Sequence, residues 1–179
     1  MITEEAKHLF LDVAKNSIYY HLKKAPLPNQ FIEKLTRYPI TNQKNGIFIT
    51  LKINNQLRGC IGCVTSNEPL FKTLPYFAIQ SAFYDPRFEP LSLKEFKKIT
   101  IKIAILTAPI MIEDYNEIKI GKHGVIFNHQ QFQSVFLPEV PNEQGWSLEA
   151  TLKNLERKAN APTGSWESAK YQVFESFSF

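Results

Sequence analysis

The sequence predicts an α+β fold in which helices pack on a mostly antiparallel sheet. Three observations carry this. Few segments repeat apolar residues at three- and four-residue spacing, while more of them alternate apolar and polar residues. Turn residues join neighbouring alternating segments at hairpin distance. The tail also alternates, through Tyr171, Val173, Glu175, Phe177 and Phe179, which places the last residues in a sheet. The chain has 179 residues, against roughly 100–200 per domain, and carries no repeat or linker. One domain over 1–179 is therefore expected.

Residues 3–24 read as an amphipathic helix. Thr3 is its N-cap, and Glu4 and Glu5 suit the positive end of the dipole. Ala6, Leu9, Phe10, Val13, Ala14 and Ile18 form the apolar face, Lys23 and Lys24 suit the other end, and Pro26 and Pro28 stop it. A loop or short helical turn follows, then a polar connection over 39–46. Residues 46–53 and 56–61 flank Asn54-Asn55, a dipeptide that tolerates positive φ, and so form a two-residue hairpin. Residues 68–84 read as a helix with Leu70, Leu74, Phe77, Ala78, Ser81 and Ala82 inward, started late or kinked by Pro75. It ends at Asp85, because the residue before a proline avoids the α region. Residues 98–113 alternate as a strand. The turn Gly121-Lys122-His123-Gly124 leads into Val125-Ile126-Phe127, and His129-Gln130-Gln131 reverses the chain into 132–137. A last helix spans 147–159, with Ser147 as cap and Leu148, Leu152 and Leu155 inward.

Composition is that of an ordinary globular protein, 44% hydrophobic and 21% charged, with fourteen Phe and seven Tyr to build a core. No apolar run approaches the roughly 20 residues a membrane helix needs. The opening Met1-Ile2-Thr3-Glu4-Glu5 is acidic where a signal peptide would be basic. A cytoplasmic protein with two reduced thiols is the expectation. The net charge of +4 is too diffuse to name a partner.

Glycine stands at about half its usual frequency, yet four of the seven fall in two equally spaced pairs, Gly59-Cys60-Ile61-Gly62 and Gly121-Lys122-His123-Gly124. Each pair brackets a reactive side chain; the same spacing also suits two bulges or tight turns at strand ends. An uninterrupted hairpin would set Ile53 opposite Gln56, Leu51 opposite Arg58 and Ile49 opposite Cys60. Arg58 and Cys60 would then share a face, with Cys63 on the other. An arginine so placed favours the thiolate, the reactive form, although a buried cysteine also serves as a small apolar filler. The Cys60-Ile61-Gly62-Cys63 spacing is no redox pair: along a strand the Cα atoms lie about 10 Å apart, beyond disulfide reach. Nor do His8, His21, His123 and His129 offer the pairing that a zinc site needs. No metal or cofactor is expected.

Leu57-Arg58-Gly59-Cys60-Ile61-Gly62 resembles the LRGCIG hallmark of the AMMECR domain family, whose prokaryotic members are called AmmeMemoRadiSam system protein A. Asp85-Pro86-Arg87-Phe88-Glu89-Pro90 is similar to its DPRFxP segment and Gly121-Lys122-His123-Gly124 to its GxHG turn. Leu137-Pro138-Glu139-Val140 with Glu143, Gly145 and Trp146 is similar to its LPEV…E…W segment. Leu152, Leu155, Lys158, Ala159 and Trp166 fit its closing helix and loop. Ala159-Asn160-Ala161-Pro162 departs from the usual Ala-Gly-apolar run, and Pro141 replaces a usual alanine. Cys63 lies outside the hallmark. The resemblance implies a compact α+β domain of two unequal lobes. It implies a pathway shared with Memo-type and radical S-adenosylmethionine proteins, and assigns no reaction.

If these motifs converge, Arg58, Cys60, Asp85, Arg87, His123 and Glu139 form one polar cluster holding a nucleophile, an imidazole and a carboxylate, as thiol chemistry requires. In that reading Cys60 is the nucleophile, with His123 or Glu139 as proton-transfer partner. The competing reading is a binding module for a nucleotide-like or other anion, or for a protein partner. Its contacts would be Arg58, Asp85, Arg87 and the backbone amides beside Gly59 and Gly62. Each residue also has a plainer role open to it. Asp85 and Arg87 suit a helix-end salt bridge, Glu139 an acceptor of backbone N–H groups in a Pro-rich turn, and His123 a turn histidine. Nucleic acid is disfavoured: Lys97, Lys98 and Lys102 make only a modest basic stretch, with no recognisable nucleic-acid motif.

Overall fold

The computed structural model describes residues 2–179 and is α+β, as expected. Its contacts divide it into two compact units, one comprising Met1–Ile105 with Phe177–Phe179 and the other Leu106–Ser176. The strands fall into two four-stranded sheets rather than one.

In the first unit, helix α1 (Glu4–Leu22) starts where Thr3 Oγ1 accepts the Ala6 N–H at 3.3 Å. Helix α2 (Asn29–Thr36) and a 3₁₀ turn (Pro39–Asn42) occupy the expected connection. Strands β1 (Asn45–Ile53) and β2 (Gln56–Thr65) form the predicted hairpin, and Asn54 and Asn55 both take positive φ, as a primed two-residue turn demands. Helix α3 (Leu70–Phe83) carries Pro75 within it, and a one-turn helix α4 (Leu93–Phe96) follows. Strand β3 (Thr100–Leu106) joins the order β2-β1-β3-β8, with β8 (Ser176–Ser178) at the far edge. One face of the hairpin packs on the helices: Ile47, Ile49 and Leu51 are fully buried with Phe10, Val13, Ile18, Leu70, Leu74 and Ala78. Burial of each large side chain is worth about 1.5–3 kcal/mol.

In the second unit β4 (Ile110–Ile112), β5 (Gly124–His129), β6 (Phe132–Phe136) and β7 (Lys170–Phe174) pair antiparallel in the order β4-β7-β5-β6. Helices α5 (Glu139–Glu143) and α6 (Leu148–Lys158) complete it. Leu152 and Leu155 of α6 are buried with Val125, Phe127, Tyr171 and Val173.

Two expected strands are each divided. The segment 98–113 breaks at 107–109, where Pro109 has no N–H to give a ladder. The alternating tail breaks at Glu175, whose backbone N–H goes to Thr107 Oγ1 and whose carbonyl accepts the Thr107 N–H, both at 2.9 Å. Lys170–Phe174 therefore pairs in one sheet and Ser176–Ser178 in the other.

Candidate functional site

The hairpin register starts as predicted, Ile53 opposite Gln56, and then shifts. Lys52 pairs with Leu57 but Leu51 with Gly59, so Arg58 is the extra residue of a β-bulge. The expected pairs of Leu51 with Arg58 and Ile49 with Cys60 are thus corrected by one residue: Thr50 stands opposite Cys60, and Ile47 opposite Cys63. Cys63 packs against the core beneath the helices, while Cys60 lies on the opposite face of the strand. Both thiols are free.

At the bulge, Arg58 is engaged by the segment around α4. Its Nε donates to Glu95 Oε1 at 2.8 Å and its Nη2 to the Glu89 carbonyl at 2.8 Å. Glu95 is itself fixed by a capping box with Ser92 at the start of α4. The Arg58 guanidinium, with the Ser92 backbone N–H, holds the Glu95 carboxyl at about 2. The Arg58 charge, which the sequence reading set beside the Cys60 thiol, is thus matched by the Glu95 carboxylate.

Asp85 and Arg87 serve Cys60 instead, through its main chain. Asp85 Oδ2 accepts the Cys60 N–H at 2.8 Å, and Arg87 Nη2 donates to the Cys60 carbonyl at 3.1 Å. The two side chains also form the expected salt bridge, at 2.7 Å, in which the Asp85 side chain is 3% exposed and that of Arg87 54%. Arg87, followed by the N–H groups of Cys60 and Arg87, holds the Asp85 carboxyl at about 2 against the opposing effect of burial. Phe88 places its ring against both cations, 5.7 Å from Arg58 and 5.6 Å from Arg87. The Cys60 sulfur lies 3.2 Å from the Thr50 hydroxyl.

Both glycines of the first pair admit close packing. A Cβ on Gly59 would sit 2.0 Å from the Ser81 carbonyl oxygen of α3, and one on Gly62 2.1 Å from that of Ile47. The Ser81 hydroxyl accepts the Ile61 N–H at 2.9 Å and donates to the Ile49 carbonyl at 2.8 Å, tying α3 to both strands.

His123 and Glu139 belong to the second unit. His123 Nδ1 accepts the Lys119 N–H at 3.2 Å, which leaves Nε2 carrying the proton of the neutral ring. Burial, then the Lys122 charge, pushes its pKa down. Glu139 is the first residue of α5, and Pro141 is tolerated there because first-turn N–H groups have no helical partner. A Cβ on Gly124 would meet the Phe174 ring at 2.3 Å, whereas Gly121 takes φ +81°.

Glu95 and Thr50 were not among the residues singled out from sequence, and Ser81 was read only as an inward residue of its helix. The Ser92-x-x-Glu95 spacing of a capping box could have pointed to Glu95, and a hydroxyl among the apolar inward residues of the helix to Ser81. Thr50 required the bulge to be known. Among the described residues no helix is long and apolar enough to cross a membrane. No group of three or more His, Cys, Asp or Glu is arranged there to hold a metal ion.

The chain is an α+β protein whose hairpin cysteine is locked through its main chain to an Asp-Pro-Arg turn. The AMMECR1 family model matches residues 11–179, and the chain belongs to that family. It is 36% identical over 171 residues to a protein of Nanoarchaeum equitans, covering 90% of this chain and 92% of that one. It is 39% identical to a protein of Methanocaldococcus jannaschii over 149 residues, covering 77% and 74% respectively. The crystal structure of an uncharacterized protein from Pyrococcus horikoshii is similar over 99% of this chain and 92% of its own, with a TM-score of 0.85 and 31% identity.

Proposed function

We propose that Cys60 is the reactive centre of this protein. The observation that carries the reading is the two-sided hold on its main chain, N–H by Asp85 and C=O by Arg87, while the sulfur sits against the Thr50 hydroxyl with the Arg87 charge acting on it. A nucleophile is useful when its position is set by groups that do not consume it. The hydroxyl can donate to a thiolate as the proton leaves. Attack on an electrophilic carbon would form an S–C bond as the leaving group departs with its electron pair and the thiol proton passes to a base. Such chemistry suits thiol-dependent modification of a small molecule or macromolecule, in the pathway with Memo-type and radical S-adenosylmethionine proteins that the family resemblance implies.

The test is alkylation by iodoacetamide at neutral pH, read peptide by peptide. Cys60 should react much faster than Cys63, whose thiol is pushed up by burial. Thr50→Val should slow Cys60 and leave Cys63 unchanged. Slowing by His123→Ala or Glu139→Gln would assign those residues to proton transfer; unchanged rates would remove them from the chemistry. Equal, slow labelling of both cysteines overturns the reading.

A second reading is favoured by the exposed guanidinium of Arg87 beside the Phe88 ring, a surface for a nucleotide-like anion. It predicts that AMP binds, that Cys60→Ser leaves binding intact, and that Arg87→Ala abolishes it.

A further inference from the structure

A hollow of about 540 Å³ lies against the last turns of α6 and the loop that follows it. Lys153, Glu156, Arg157 and Asn160 line it at three- and four-residue spacing, so one face of the helix and its cap forms a wall. Trp166 lines it from the loop and is fixed on three sides. Its N–H donates to Glu156 Oε2 at 3.0 Å and its carbonyl accepts the Tyr171 hydroxyl at 2.6 Å. The Tyr115 ring meets the indole with centroids 5.7 Å apart. None of these residues belongs to the proposed reactive centre.

Glu156 is 8% exposed, and its two oxygens differ. Oε2 accepts the Ser165 hydroxyl at 3.2 Å as well as the Trp166 N–H. Oε1 accepts nothing from the described residues and is not sealed from solvent, so it opens into the hollow that Glu156 lines. Holding the Ser165-Trp166 turn takes one acceptor oxygen, which an amide would supply equally. That turn uses neither the second oxygen nor the charge, and a buried charge is costly without a partner. The neighbouring cations do not bond it. Lys153 Nζ, whose charge interacts with that of Glu156, donates to Glu149 and lies 5.8 Å from the Trp166 ring centroid. Arg157 forms no ion pair among the described residues; its Nη1 donates to Asn154 Oδ1 at 3.4 Å.

We infer that this hollow binds a small zwitterion, an α-amino acid with an apolar side chain. Its ammonium would donate to Glu156 Oε1, its carboxylate would pair with Arg157, and its side chain would lie against Trp166 and Ala161. With Lys153 matched by Glu149, the two charges left over are of opposite sign and sit on adjacent residues lining one hollow. They suit a ligand that bears both of its own charges on one carbon, each met by a charge-assisted hydrogen bond. The volume falls within the roughly 300–1,000 Å³ of small-molecule sites.

Isothermal titration calorimetry with L-phenylalanine tests this, and phenethylamine and phenylpropionate are the probes that carry one charge each. Phenylalanine should bind more tightly than either. Glu156→Gln keeps an acceptor for Ser165 and Trp166 and turns an amide toward the hollow. It should weaken phenylalanine and phenethylamine about tenfold or more and leave phenylpropionate unchanged. Arg157→Gln, at an exposed position, should weaken phenylalanine and phenylpropionate by a similar factor and leave phenethylamine unchanged. It also supplies the test if Glu156→Gln does not fold. Absence of saturable phenylalanine binding, or binding unchanged in Arg157→Gln, overturns the inference. So does phenethylamine binding as tightly as phenylalanine, which would mark a site for cations alone.

Discussion

The Asp85 carboxylate accepts the backbone N–H of Cys60 at 2.8 Å, joining two motifs 25 residues apart. The same carboxylate accepts the N–H and guanidinium of Arg87, so one buried group organises a strand, a turn and a cation. Asp85→Ala would leave two backbone N–H groups without an acceptor while the half-exposed Arg87 returns to solvent. A loss of about 2–3 kcal/mol is expected, mostly from the stranded N–H groups. A urea titration measures it through the midpoint. Cys60 should also lose the selectivity of its alkylation, because its backbone is no longer held.

Acid should cost the fold stability through this corner. Asp85 and Glu95 are both held at about 2 in the folded protein, below the roughly 4 of an unfolded chain. Carboxyls depressed by folding add stability that is complete above the unfolded value and lost as pH falls toward the folded one. Stability should therefore hold above about pH 5 and decline between about pH 4 and 2. Asp85→Asn should flatten that decline while lowering stability at neutral pH. Denaturation midpoints across this range check it, and an undiminished decline in Asp85→Asn would show that other groups govern it.

Gly59 and Ser81 allow close approach and hydrogen bonding to be told apart. A methyl at position 59 would lie 2.0 Å from a backbone oxygen of α3, which no side-chain rotation relieves. Gly59→Ala should push α3 off the hairpin and weaken both Ser81 hydrogen bonds, with a loss of about 3 kcal/mol or more. Ser81→Ala, which strands the Ile61 N–H but moves no backbone, should cost about 1–3 kcal/mol. Chemical denaturation of the two variants would separate close approach from hydrogen bonding.

These contacts mark where the sequence stopped being readable. Thr3, Ser147 and Asn54-Asn55 act through atoms within four residues, and the helix starts and the hairpin turn follow from them directly. The bulge at Arg58 is set by Glu89 and Glu95, 31 and 37 residues away, so no local rule could shift the register. Alternation identified strand character in 98–113 and in the tail but not the change of sheet, since both sheets ask for the same two-residue period. The segment 57–62 points to Cys60, yet much of it has packing work: Gly59 admits α3, Arg58 anchors α4, and Gly62 fits against β1. Sequence pattern alone does not divide those roles from chemical ones.

Asn160 is explained by the end of α6. Ala161 N–H bonds the Glu156 carbonyl at 3.1 Å and Asn160 N–H that of Arg157 at 3.0 Å, the paired bonds of a Schellman cap. Asn160 takes φ +54°, the left-handed position such a cap requires. Glycine adopts it freely, asparagine at modest cost, and alanine poorly. A glycine at this position and the Asn160 of this chain would thus meet one conformational demand. Asn160→Gly should match the parent stability to within about 0.5 kcal/mol, and Asn160→Ala should lose about 1 kcal/mol. Thermal melting of the pair decides it: an alanine variant as stable as the glycine one would mean that the loop after α6 does not depend on the left-handed residue.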